Sequence, residues 1–262
     1  MNARELQVRV LGPVSVVRDG APVTLPRSRK VLALLAFLTL EASPRSRSRL
    51  CDLFWEAALS DPRRELRWCL SKLRAIVDDP GRHRVVTTKD ALICLDMSDA
   101  FVDALEIERA LKMGTSELTD ERLAEVSALF RGDLLEGIDI DGSAELTTWL
   151  TSHRQRYRAM RVAIVSELAM RPSTDPAEAR SRLDAWLQLA PFDRRAHERM
   201  LTALLEAGHG REAEEHMASA IRAFEQEGLD WSPLRVWWHA ARSAAAAPAR
   251  VQAFSPPLVT IA

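Results

Sequence analysis

Between Arg63 and Lys72 the chain sets Arg63, Arg64, Arg67, Trp68, Ser71 and Lys72 around a leucine-rich stripe. On a helix turning about 100° per residue, Leu70, Leu73 and Val77 fall within roughly 40° of Leu66, with Cys69 and Ile76 on the flank. That face packs inward. Arg64, Arg67, Trp68, Ser71 and Lys72 then point outward, with Arg63 and Arg74 at the border. Guanidinium forks presented this way suit guanine edges in a major groove, and an apolar group such as an indole can touch a thymine methyl. The bland alternative is a solvated helix with ordinary arginines. Against it stand three further basic groups: Arg27, Arg29 and Lys30; Arg45, Arg47 and Arg49; and Arg82, His83, Arg84 and Lys89. With Thr88 and Arg74 they are expected to be phosphate or wing contacts, which fix register and supply salt-dependent affinity while the helix reads bases.

The elements that must position these residues follow from periodicity. LQVRVLGPVSVV, Leu6 to Val17, alternates apolar residues around Gly12-Pro13, and Arg18-Asp19-Gly20 offers a hairpin turn. Val23 to Leu25 returns as a short strand. The period then changes from two to 3.6. A first helix is expected over about 27–41 and a second over about 46–55, with serines before it as caps. The third opens at Asp61-Pro62, an acidic cap followed by proline at the first helical position, and runs to about Val77. Arg84 to Thr87 and Ala91 to Leu95 then read as a hairpin. Strand ribbon, three helices and terminal hairpin are the order of a winged helix-turn-helix. From Asp99 onward only amphipathic helices are expected: about 101–112, 120–130, 143–170, 176–189, 194–207, 210–227 and 233–241. The last stretches resemble helix-hairpin repeats. The fold class is therefore mainly α with a small β component: a winged helix-turn-helix domain over 1–97, an all-α TPR-like helical-repeat domain over 98–242, and a disordered tail or linker over 243–262.

Charge divides along the same boundary. Residues 1–97 hold 17 Lys+Arg against 11 Asp+Glu, and residues 98–262 hold 19 against 26, which together make the overall net charge of −1. Arginine-rich coding bias is the bland account, so placement and not number carries the argument. A basic module beside an acidic one suggests that only the first meets a polyanion. The apolar run VLALLAFLTL at 31–40 is far short of the roughly 20 residues a membrane span needs. Arg4, Glu5 and Arg9 interrupt what would be the apolar core of a signal peptide. Three distant cysteines, Cys51, Cys69 and Cys94, fit free thiols in a reducing compartment. These features place the protein in the cytoplasm, away from membranes.

The blocks SRKVLALLAFLTL, SRSRLCDLFW and PRRELRWCLSKLRAIV resemble successive segments of the antibiotic-regulatory-protein (SARP) type of activators. LFRGDLLEG at 129–137, the helix bearing Trp149, and LAPFDRRAHERMLTALLEAGHGREA from Leu189 extend the resemblance to about residue 240. The most specific pair is L-R-x-x-L-S-x-L-R, Leu66 to Arg74, with GDLLEG. The resemblance implies an OmpR-type winged helix before a bacterial transcriptional activation domain. It also implies binding to double-stranded promoter DNA, often at direct repeats, and a loop, Glu56 to Asp61, near RNA polymerase. A homodimer on adjacent half-sites is the arrangement expected from this. The wing turn departs from relatives in having Lys89-Asp90-Ala91 where a Gly-Tyr pair is common. The terminal PPLVTIA resembles the linker and opening strand of a further domain found in some proteobacterial members.

No phosphate-cradling G-x-x-x-x-G-K, H-E-x-x-H or G-x-S-x-G occurs, so no catalytic residue and no cofactor are assigned. Asp139, Asp141 and Gly142 open like a calcium loop but lack the third carboxylate and the spaced glutamate. His209 and His216 share a helical face without a third ligand at metal spacing, so they read as surface histidines and no metal is assigned. The rival reading is an interaction scaffold with a docking-only winged helix. Such a domain should have lost its phosphate-facing arginines, and all three flanking groups keep theirs.

Overall fold

Alternating apolar residues build β1 (Leu6–Arg9) and β2 (Ser15–Arg18), which pair antiparallel with Val8 opposite Val16, so Leu6, Val8 and Val16 are buried. After β2, Asp19 and Gly20 turn the chain back toward Ala21–Pro22 with φ of 51° and 78°, the left-handed region a tight hairpin demands. The computed structural model describes residues 6–41, 43–55, 61–88, 90–140 and 143–246. The loop residues 56–60, Lys89, Asp141, Gly142 and the tail from 247 onward, with its PPLVTIA segment, lie outside the described residues. β3 (Ala21–Pro22) pairs with β2 and precedes the Val23–Leu25 segment in which a strand was expected.

Three helices follow: α1 (Arg29–Leu40), α2 (Arg47–Phe54) and α3 (Pro62–Val77). Ser46 caps α2 by accepting the Arg49 amide at 3.1 Å. Asp61 caps α3 by accepting the amides of Arg63 and Arg64, each at 3.1 Å. Leu66, Cys69, Leu70, Leu73, Ile76 and Val77 are the buried residues of α3, matching the stripe read from sequence. They meet α1 and α2 in one core. The wing is β4 (Val85–Thr87) paired with β5 (Ile93–Leu95). A two-way backbone bridge between Arg45 and Ile93, at 2.8 and 2.7 Å, ties the wing to the loop before α2.

The region expected to be wholly helical begins with a strand. β6 (Phe101–Val102) adds to β1 in parallel, completing a sheet of order β3-β2-β1-β6. The β-branched and aromatic pair fits the open edge of β1, a tertiary partner that local periodicity does not reveal. α4 (Asp103–Ala110) starts immediately after it. Asp103, fully buried, accepts the Val10 amide at 2.9 and 3.0 Å and the Leu11 amide at 3.0 Å, beyond the end of β1. Burial pushes this carboxyl above the usual carboxylate range, and the amides of Val10, Leu11 and Ala104 pull it back. After α5 (Asp120–Ala128), the GDLLEG block closes on the same strand end. Leu11 bridges Leu134, and the Gly12 amide donates to the Asp133 carbonyl at 2.7 Å. Gly12 has φ of 103°, and a Cβ there would meet the Arg131 backbone at 3.0 Å. α6 (Ala144–Met170) then sends Arg154 back to the carbonyls of Leu134, Leu135 and Ile138.

By compactness the chain divides into Met1–Leu168 and Ala169–Ala262. In the second unit α7 (Pro176–Leu189), α8 (Arg194–Glu206), α9 (Gly210–Gln226) and α10 (Ser232–Ala246) form antiparallel helical repeats around Trp186, Met200, Leu204 and Phe224. α10 continues four residues past the point where a tail was expected to begin. Gly208 and Gly228, at φ of 75° and 67°, end the helices before them. The architecture is mainly α with a small β component, a winged helix followed by helical repeats.

Candidate nucleic-acid interface

The N-terminus of α2, the length of α3 and the wing turn enclose an open cleft of about 760 Å³. Ser46, Arg47 and Ser48 line it from α2, Arg63, Arg67 and Arg74 from α3, and Asp90 and Ala91 from the wing. Four guanidinium groups thus face one carboxylate. Among the described residues, no ion pair is formed by Arg47, Arg63, Arg64 or Arg67, and all four are exposed. Ser71 and Lys72 are exposed on the same helix. Trp68 is 45% exposed, and the Lys72 ammonium sits 5.7 Å from its ring centroid, so a cation–π contact restrains the indole. Arg27 and Arg29 are exposed at the start of α1. Lys30 beside them lies 5.4 Å from the centre of the buried Trp55 ring.

The remaining basic residues are placed differently from the sequence expectation. Arg84 does not face a phosphate: it is 1% exposed and paired with Asp99, with Asp79 at 3.9 Å. Arg82 turns to Asp96 at 2.6 Å and to Asp99 at 3.6 Å, and His83 faces Asp78 at 3.4 Å. The Arg84 guanidinium holds Asp99 below the usual carboxylate range, and the Ser98 hydroxyl and amide, with Arg82 beyond them, do the same for Asp96. A buried arginine needs such partners because an isolated charge there is costly. Asp96 and Asp99 follow the wing in sequence and fold back under it, so this base clamp was not legible from the wing alone. Arg18 completes it from β2, reaching Asp79 at 3.0 Å and the Ile76 carbonyl at 2.6 Å. Thr88 is part of the wing turn itself, its hydroxyl accepting the Leu92 amide at 3.2 Å.

On α2, only Arg47 turns to the cleft. Arg45 is held by Glu41 at 2.6 Å, and Arg49 by Glu145 of α6. Trp149 of α6 donates through Nε1 to Glu41 at 2.9 Å, its ring 5.1 Å from that of Phe37. Burial raises the Glu41 carboxyl, but the hydrogen bonds from Trp149 and Arg45 carry it below its ordinary value. Glu145 and Asp99 are not legible as partners of the basic face because each lies 15 or more residues from its arginine, whereas Glu41 stands only four residues before Arg45. Trp149 was visible only as part of a resemblance block.

Cys51 and Cys69 are buried free thiols and Cys94 is half-buried. Burial pushes the Cys69 thiol up to about 11, so it stays protonated and serves the core. No group of three metal-ligating side chains occurs among the described residues. No helix among them is long and apolar enough to cross a membrane.

Comparison with known proteins places this geometry in a family. The bacterial transcriptional activator domain matches residues 96–235, more than half of the chain. The chain belongs to that family. Among solved structures it is similar to Mycobacterium tuberculosis EmbR, determined in complex with a low affinity phosphopeptide, at 17% identity and a TM-score of 0.67. At that identity the likeness is one of fold. The match covers 92% of this chain and 66% of the EmbR chain. No curated protein matches the sequence.

Proposed function

We propose that the chain regulates transcription by binding double-stranded promoter DNA, with α3 in the major groove and residues 1–97 as the DNA-binding module. The observation that carries this reading is the convergence of Arg47, Arg63, Arg67 and Arg74 on one open cleft. Arg67, with Trp68, Ser71 and Lys72 beside it, reads base edges, while Arg47 grips the backbone at the start of α2. The loop before α3 is the surface proposed to meet RNA polymerase, and the helical repeats support dimer contacts or receive a signal. Two chains on adjacent half-sites would place two such helices in successive grooves. A docking-only winged helix would leave the exposed arginines of α3 without a purpose, and their freedom from internal ion pairs favours DNA.

Salt titration tests the reading. Arg47 and Arg74 on two phosphates predict a slope of about −1.8 in log affinity against log salt, or a loss on the order of 10-fold for a fourfold rise in salt. A flat response would eliminate phosphate contact as the source of binding. Arg67→Ala and Arg47→Ala then separate the two roles, once a preferred site has been selected from a random DNA pool. Arg67→Ala should cost about 1–3 kcal/mol on that site and relax its base preference, while Arg47→Ala should weaken every sequence alike. Equal loss of discrimination in both variants would refute the division.

A further inference from the structure

We infer that Glu145, in the first turn of α6, sets the DNA affinity of the chain by occupying the Arg49 guanidinium in place of a backbone phosphate. This rests on the DNA-binding reading above and concerns the regulation of the same face.

Arg47 and Arg49 lie in the same first turn of α2, two residues apart. Arg47 lines the cleft beside α3, whereas Arg49 is turned onto the Glu145 carboxylate. Both side chains of that pair stay open to solvent, Arg49 at 50% and Glu145 at 55% exposed. The bond is therefore accessible to a competitor. For a guanidinium, carboxylate and phosphate are alternative partners of the same planar, charge-assisted kind. Glu145 is nevertheless no chance neighbour, because the turn that carries it is anchored to the helix-turn-helix. The Ser143 hydroxyl donates to the Leu53 carbonyl at 2.9 Å and accepts the Leu146 amide at 3.2 Å. One turn further on, Trp149 is fixed between Glu41 and Phe37. Tethering keeps the local concentration of the Glu145 carboxylate high around Arg49. Arg45 is a different case, since it is held at a less exposed site by Glu41, which Trp149 in turn fixes. An exposed pair is weak, so arriving DNA, with its gain from counterion release, can displace Glu145 at a modest cost in affinity.

The test uses the full chain and a random-sequence DNA duplex at low salt, because phosphate contacts do not depend on sequence. Binding is measured by fluorescence anisotropy for the wild type, Glu145→Gln, Arg49→Ala and the double variant. Glu145→Gln should bind about two- to fivefold more tightly, the range of one exposed ion pair, with its melting curve unchanged. In the Arg49→Ala background the same substitution should have no effect, because the cycle isolates the pair. An equal gain in both backgrounds would assign the effect to general charge and overturn the inference. No gain, or a loss, on Glu145→Gln would overturn it as well. A wild type that ignores the duplex would instead sink the DNA-binding reading itself.

Discussion

Asp103→Ala should lower the unfolding free energy by about 3 kcal/mol or more, since it leaves the buried amides of Val10 and Leu11 without acceptors. Asp103 is fully buried, and its two oxygens are the acceptors that the strand end of β1 turns toward. Asp103→Asn keeps one acceptor oxygen and should cost less than Ala. The measurement is urea denaturation followed by tryptophan fluorescence. A change in Asp103→Ala within about 0.5 kcal/mol, the scale of ordinary surface substitutions, would show that the carboxylate is dispensable. The consequence reaches the N-terminal sheet, because Asp103 lies within the region matched by the activator-domain family and yet holds the amides at the end of β1. Asp99, on Arg84, does the same for the wing.

The second large effect is an acid-induced loss of stability in the helical repeats. His197 of α8 places Nδ1 3.0 Å from Nε2 of His216 of α9, and its own Nε2 donates to the Pro191 carbonyl at 2.8 Å. That carbonyl fixes the proton on Nε2, leaving Nδ1 to accept from His216, so the pair is neutral. Burial lowers both imidazoles, and for His216 the neighbouring His197 and Arg180 add to burial and bring it down to about 4. Unfolded histidine titrates near 6.5. Between these values the unfolded chain binds more protons than the folded one, so stability rises with pH across that window. It is fully present above about 6.5 and lost progressively toward pH 4, by about 3 kcal/mol for His216 alone. Thermal melting at a series of pH values should show this in the wild type. His216→Gln, which keeps a donor for His197 but cannot titrate, should flatten the profile between pH 6.5 and 4. Identical profiles for the two proteins would remove the pair as the cause.

These histidines mark a boundary of legibility. His197 and His216 stand 19 residues apart on different helices, so their meeting depends on how α8 packs on α9, and spacing alone makes His216 a surface group and gives no sign of His197. Helix α3 is the opposite case. Its cap at Asp61, its proline start, its end at Val77 and its buried stripe all arise from interactions within a few residues, where spacing along the chain is spacing in space. The exposed arginines of α3 follow directly, because they are what remains once the stripe is buried.

Amino-acid order alone thus determined the helices, the wing, the segregation of charge and the outward face of α3, all of which rest on local periodicity and capping. Only the tertiary structure decided which arginines are free. Arg47, Arg63, Arg67 and Arg74 converge on the cleft, while Arg45, Arg49, Arg82 and Arg84 are drawn to carboxylates. For Arg49, Arg82 and Arg84 those partners lie 14 to 96 residues away along the chain. A charge pairs with whatever opposite charge folding brings within a few ångströms, and that distance is not written in sequence separation.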